Sequence, residues 1–177
     1  MRKRRVIAYV DGFNLYHTIR HCTPNKVNLW ELFSSLCMPH EELVAVKYFS
    51  AYAYWNPQAV ARHKKYVKDL KAVGVEVILG QFKKKGPNGA HEEKETDINI
   101  ALNLVLDGVD DRYDTAKLLS VDSDLVAAVR EAKQRQPSKN IVIVKPPGRS
   151  RFGRELVQES GGSGYVLKEN RIKKFMF

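Results

Sequence analysis

Four aspartates stand where a carboxylate could meet a metal ion. Asp11 ends the apolar run Val6-Ile7-Ala8-Tyr9-Val10 and precedes Gly12; Asp122 ends a second run; Asp124 lies two residues further on; Asp97 follows Thr96 at the start of a third apolar stretch. Carboxylates gathered in one pocket repel each other and lose acidity unless a divalent cation is shared. Oxygen-only ligation suits Mg²⁺ or Mn²⁺, which keep several waters while binding phosphate oxygens. Such an ion lowers the pKa of a bound water and offsets charge building on a phosphoryl group. Each position also has a plain structural use. Asp-Gly after a strand makes turns, Thr before an apolar helix caps it, and Ser-Val-Asp-Ser-Asp can cap as well. Three such motifs, each predicted at the same edge of one sheet, favour a shared acidic site.

The elements that must position them follow from hydrophobic patterning. Arg4 to Val10 reads as a buried strand, Leu43 to Tyr52 as a second, Val75 to Leu79 as a third, Lys117 to Val121 as a fourth and Asn140 to Val144 as a fifth. Asn28 looks like the cap of a helix running to Leu36, and Pro57 to Val73 is amphipathic and stopped by Gly74. Lys83 to Glu93 reads as a polar loop around Gly86-Pro87-Asn88-Gly89. Thr96 is expected to cap a helix from Asp97 to Leu106, apolar enough for burial on most sides, and Ser123 to Arg135 forms the next. A short helix near Phe152 to Gln158 and a last strand at Tyr165 to Leu167 complete the pattern. Strands alternating with helices predict a three-layer α/β/α fold on a mainly parallel sheet of five or six strands, with right-handed crossovers. Ligands of open sheets bind beyond the carboxyl ends of the strands. If strands one and four are neighbours, the aspartates converge there.

Composition sets the partner class. The 177 residues predict one domain, with a core over about residues 4–145 and a basic extension over 146–177. No uncharged apolar run is long enough for a membrane span, and the short apolar stretch after the basic start is no signal sequence. Two cysteines, Cys22 and Cys37, cannot form a disulfide framework, which suits a reducing cytoplasm. The formal charge of +10 makes nucleic acid the first partner to consider. Ten acids nevertheless fall between Glu92 and Asp124, against three bases. Of these, Asp107 to Asp114 read as a solvated loop.

The same residues carry a family resemblance. Val10-Asp11-Gly12-Phe13-Asn14-Leu15 resembles the opening motif of the NYN family, whose bacterial members are also called LabA-like proteins. Glu93-Lys94-Glu95-Thr96-Asp97 is similar to its central motif, and Leu119-Ser120-Val121-Asp122-Ser123-Asp124-Leu125 to its third. The resemblance implies a PIN-like (Rossmann-like) nuclease fold and a metal-dependent ribonuclease. It implies Asp11, Asp97, Asp122 and Asp124 as ligands of Mg²⁺ or Mn²⁺, and Asn14 as the residue orienting a ligand or water beside Asp11. Two positions depart from the family pattern, which usually has Gly where Val121 stands and often Gly where Glu95 stands. They keep a non-catalytic RNA-binding or regulatory module as the alternative.

Basic clusters suggest where RNA would lie. Lys83, Lys84 and Lys85 precede the central motif, which contains Lys94, and Arg149, Arg151 and Arg154 surround Phe152. Arginines beside an aromatic suit phosphates and a stacked base. Taken singly, each cluster is also an ordinary solvated loop. The bases from Arg62 to Lys71 read as a helix's wet face, and His17, His21 and Cys22 lack a fourth zinc ligand. The expected partner is RNA, single-stranded or structured, with no membrane and with a homodimer left open. An aspartyl-phosphate phosphatase is excluded because Tyr9 and Phe13 occupy the positions two residues from Asp11, and no P-loop sequence occurs.

Overall fold

A computed structural model describes residues 2–19, 26–85 and 90–177. Strand β1 (Arg4–Asp11) is followed by helices α1 (Gly12–Ile19) and α2 (Leu29–Ser35), strand β2 (Glu41–Ser50), helix α3 (Pro57–Ala72) and strand β3 (Glu76–Leu79). Strands β4 (Gln81–Lys85) and β5 (Ala90–Lys94) precede helix α4 (Thr96–Val109) and strand β6 (Thr115–Leu119). A 3-10 turn (Ser123–Leu125) leads into α5 (Val126–Arg135), then β7 (Asn140–Lys145), α6 (Arg154–Glu159), β8 (Gly164–Val166) and α7 (Glu169–Ile172).

Six strands form one sheet in the order β3-β2-β1-β6-β7-β8, every pairing parallel. The condition set for convergence of the aspartates is met: β1 pairs with β6, Val10 opposite Leu119. Side chains of a strand alternate between faces, and β1 divides its own between two cores. Ala8 and Val10 pack with α1, α2, α3 and α7 on one face, whereas Ile7 and Tyr9 pack with α4, α5 and α6 on the other. The segment 146–177 contributes to both, burying Leu156 on one side and Leu167 and Ile172 on the other.

Several local expectations change. The polar loop after β3 is an antiparallel hairpin, β4 on β5, with Lys83 opposite Glu92; its strands lack apolar alternation, so hydrophobic patterning could not reveal them. Gly86, Pro87, Asn88 and Gly89, like His21 and Cys22, lie outside the described residues, as does the side chain of Lys85. Thr96 is not a cap but the first residue of α4, and the preceding Glu95 is left-handed, with φ of 76°. Helix α4 is not buried on most sides: Ile100 and Leu104 face the core while Ile98, Leu102, Leu106 and Val109 are exposed.

Asp107 and its neighbours are not a solvated loop. Asp107 is buried, 2.7 Å from the equally buried Lys47 Nζ and 2.9 Å from Arg112, and accepts a 2.8 Å hydrogen bond from the Tyr9 hydroxyl. Asp114 accepts from the Arg5 backbone amide at 2.7 Å and pairs with its guanidinium at 3.0 Å, while Asp111 pairs with Arg5 and Lys139. The acid-rich stretch therefore divides, one part serving the amino edge of the sheet and the other its carboxyl edge.

Candidate acidic site

Asp11 is the last residue of β1 and almost completely buried. Its Oδ1 accepts from the Asn14 backbone amide at 2.9 Å, so the side chain caps α1, and its Oδ2 accepts from Asn14 Nδ2 at 2.6 Å and Ser120 Oγ at 2.9 Å. The parallel register creates the last contact, because Ser120 comes one residue after the Val10–Leu119 pair. Ser120 Oγ in turn accepts from the Asp122 backbone amide at 3.1 Å. One hydroxyl thus joins the acid that ends β1 to the acid that caps the turn after β6. Burial pushes the Asp11 carboxyl above its ordinary pKa and the nearby charge of Asp122 adds to this, while the bonds from Asn14 and Ser120 oppose it.

Asp122 is only partly buried, and its Oδ1 accepts from the Asp124 backbone amide at 3.0 Å, capping the 3-10 turn in which Asp124 is exposed. Asp97 is the second residue of α4. Gly80 seats that helix start at the same edge of the sheet. Its amide bonds the Ser50 carbonyl at the end of β2, and a Cβ built on it would lie 2.7 Å from the Lys94 carbonyl oxygen and 2.9 Å from Thr96 Oγ1.

The expected four-aspartate cluster is realised as a pair. Asp11 and Asp122 interact electrostatically, but among the described residues no three His, Cys, Asp or Glu side chains form a group able to hold a metal ion. The reason is local: Asp11 faces Asn14 and Ser120, and Asp122 turns back on its own cap. Even so, the donor set fits a hard cation. Mg²⁺ is commonly held by one or two carboxylates together with waters and substrate phosphates, and among the described residues no Lys or Arg pairs with Asp11, Asp122 or Asp124.

The arginine cluster lies against this edge. A groove of about 250 Å³ runs between Val121, Ser123 and Val126 on one side and Arg151, Phe152 and Arg154 on the other. The Phe152 ring is half exposed, with the Arg149 guanidinium 5.1 Å from its centroid. Val121 seats the loop: a Cβ built on Gly153 would lie 3.3 Å from its Cα and Cγ1. Lys83, Lys84 and Lys94 are exposed on the β4–β5 hairpin, which docks through Phe82 and His91 onto Trp55, the His91 and Trp55 rings stacking at 3.7 Å. Sequence reasoning missed the role of Ser120, whose only signal is its register beside Asp11. It also missed the side of α3 carrying Arg62 and His63, which lines a cavity rather than forming only a wet face.

A family model described as "NYN domain" matches residues 5–159. The chain is 24% identical to 6-hydroxy-3-succinoylpyridine 3-monooxygenase HspA of Pseudomonas putida, the match covering 83% of this chain but 61% of that protein, so the chain spans about three-fifths of the relative's length. The crystal structure of a protein of unknown function from Vibrio parahaemolyticus, VPA0982, superposes with a TM-score of 0.71 at 20% identity, over 99% of this chain and 98% of that one, and shares the fold. No helix among the described residues is long and apolar enough to cross a membrane. By the extent of the family match, which takes in nearly the whole chain, this chain belongs to the NYN domain family.

Proposed function

We propose that the chain is a metal-dependent endoribonuclease of the cytoplasm, hydrolysing RNA phosphodiester bonds at the carboxyl edge of its sheet. The observation that carries this reading is the Asp11–Asp122 pair, in which a buried carboxylate feels the charge of a partly buried one and no Lys or Arg pairs with either among the described residues. Asp11 and Asp122 would hold Mg²⁺ or Mn²⁺, with Asp97 and Asp124 completing its surroundings through water or substrate. When bound, the ion would supply an acidified water and charge neutralisation at the phosphate. The chain's own part is orientation. Asn14 grips both oxygens of Asp11, Ser120 fixes the spacing of the two acids, and Arg149, Arg151 and Arg154 offer charge to flanking phosphates, with Phe152 as a stacking surface for a base.

A second reading, an RNA-binding module without turnover, is favoured by the absence of a three-carboxylate group among the described residues. One experiment separates the two. A mixed RNA pool is incubated with Mn²⁺, Mg²⁺ or EDTA, with wild-type protein and with Asp122→Asn and Asp97→Asn. Cleavage that needs the metal and disappears in the variants at unchanged RNA affinity supports the nuclease. RNA binding that survives EDTA and both substitutions, with no cutting under any condition, supports the binding module.

A further inference from the structure

A larger cavity, of about 460 Å³, lies on the other side of Asp11, between α1, α3 and the end of β2. That volume falls in the range of small-molecule sites, about 300–1,000 Å³. Its walls are built as such sites are, mostly apolar and aromatic with a few polar groups. Phe13 and Tyr16 come from α1, Tyr48 from β2, and Arg62, His63 and Tyr66 from α3. On α3, Ala59, Arg62, His63 and Tyr66 follow the spacing of one helix face. The buried residues of α3, Val67 and Leu70, lie in its second half, so the first half spans the cavity instead of closing onto the core.

Three features select the occupant. The cavity begins where the acidic site ends, because Gly12 and Phe13, which follow Asp11 directly, form part of its wall. Aromatic surfaces dominate the interior, and its polar contact, Tyr48 Oη to His63 Nε2 at 3.3 Å, joins two uncharged groups, since burial lowers the His63 pKa. No Asp or Glu is among the described lining residues. Of the two cationic side chains there, Lys26 is tied to Asp69 at 2.9 Å, whereas Arg62 has no carboxylate partner among the described residues. A planar, hydrogen-bonding, uncharged ring carrying an anion matches this combination of walls and charge.

We propose that this cavity receives one nucleobase of the RNA strand held at Asp11 and Asp122, with Arg62 meeting a phosphate of that nucleotide. The proposal rests on the nuclease reading above for the identity of the strand, but not for the binding of the ring. It makes the cavity a specificity pocket: an unstacked base beside the scissile phosphate is required, and fully paired RNA is refused.

The test is calorimetric titration of metal-free protein with the four nucleoside 5′-monophosphates, the matching phosphate-free nucleosides, ribose 5-phosphate and nicotinate, the last being a free heteroaromatic acid. Wild-type protein is compared with Ala59→Phe, which fills the cavity, and with exposed Arg62→Gln. At least one nucleotide should bind tenfold or more tightly than ribose 5-phosphate. That binding should disappear in Ala59→Phe and weaken about tenfold in Arg62→Gln, while the phosphate-free nucleoside is unaffected by the latter. Nucleotide binding no tighter than ribose 5-phosphate, indifference to Arg62→Gln, or binding of nicotinate without any nucleotide would overturn it. If Ala59→Phe does not fold, Arg62→Gln decides. Nucleotide binding that responds to these substitutions, in a protein that cuts no RNA, upholds the pocket and sinks the nuclease. Metal-dependent cutting by a protein that binds no nucleotide does the reverse.

Discussion

The two edges of the central sheet treat carboxylates in opposite ways. At the amino edge Asp114 meets Arg5, Asp111 meets Arg5 and Lys139, and on the adjoining face Asp107 is enclosed by Lys47, Arg112 and Tyr9. At the carboxyl edge Asp11 meets only neutral donors, Asn14 and Ser120, and feels the charge of Asp122, and no Lys or Arg pairs with either acid among the described residues. Neutralised acids hold the fold. Acids left beside each other raise the free energy of the empty protein and are retained where a cation or a substrate can relieve them. The difference separates aspartates held by charge partners from those we propose as metal ligands.

The contrast is sharpest in stability. Asp107→Ala leaves the buried Lys47 ammonium with Glu76 at 3.9 Å as its nearest carboxylate, and breaking such a pair costs about 3–5 kcal/mol. Urea denaturation should show a much lower midpoint, and a loss below about 1 kcal/mol would break the distinction. Asp122→Asn should do the opposite, keeping unfolding free energy within about 0.5 kcal/mol while cutting RNA cleavage about a hundredfold or more. Gly12→Ala crosses the boundary between the two roles. The added methyl meets the Tyr48 ring at 2.6 Å and the Phe49 carbonyl oxygen at 2.7 Å, so a cost of about 1–3 kcal/mol is expected. Because α1 must shift, the capping of α1 by the Asp11 carboxylate through the Asn14 amide should loosen, read as a changed Asp11 carboxyl chemical shift.

Acid should reach the amino edge in a defined window. Arg5 holds the Asp114 carboxyl down at about 2, below its unfolded value. The unfolded chain therefore takes up this proton first. The stabilisation is complete above about pH 4 and fades as pH falls toward 2, so Asp114→Asn should flatten that part of a stability–pH curve. The smallest effect belongs to Glu95→Gly. It removes a left-handed side-chain residue and should raise stability by about 0.5 kcal/mol, the relief of strain exceeding the added chain entropy; a clear loss would mean that the Gln81–Glu95 hydrogen bond is worth more than the strain.

Much of this was legible in the sequence because buried parallel strands write continuous apolar runs. The five principal strands follow from that pattern and the Asn28 cap from its residue type, whereas the adjacency of β1 and β6 enters the sequence reading only as a condition. What escaped depends on contacts the pattern does not encode. Helix α1 is short and starts on Gly12, its cap being the side chain of the same Asp11 that reads as a ligand. Lys47 and Lys117 are buried strand lysines, satisfied by partners distant in sequence, Asp107 and Glu41. The acidic positions were readable one by one, but their gathering was not, because each aspartate serves its own local turn before it serves its neighbours. The glycine preference of the family at position 95 also becomes intelligible, since the backbone there is left-handed.

Ser120 also couples the two acids mechanically. A hydroxyl has a single hydrogen, and here that hydrogen points to Asp11 while the oxygen is held by the Asp122 amide. The tips of two strands are therefore pinned by one atom whose polarity cannot reverse without breaking a bond on either side. Tension applied to either acid, by a bound ion or a pulled strand of substrate, is passed to the other through about one hydroxyl's width. A protein with alanine at this position would keep both carboxylates but lose the rivet between them.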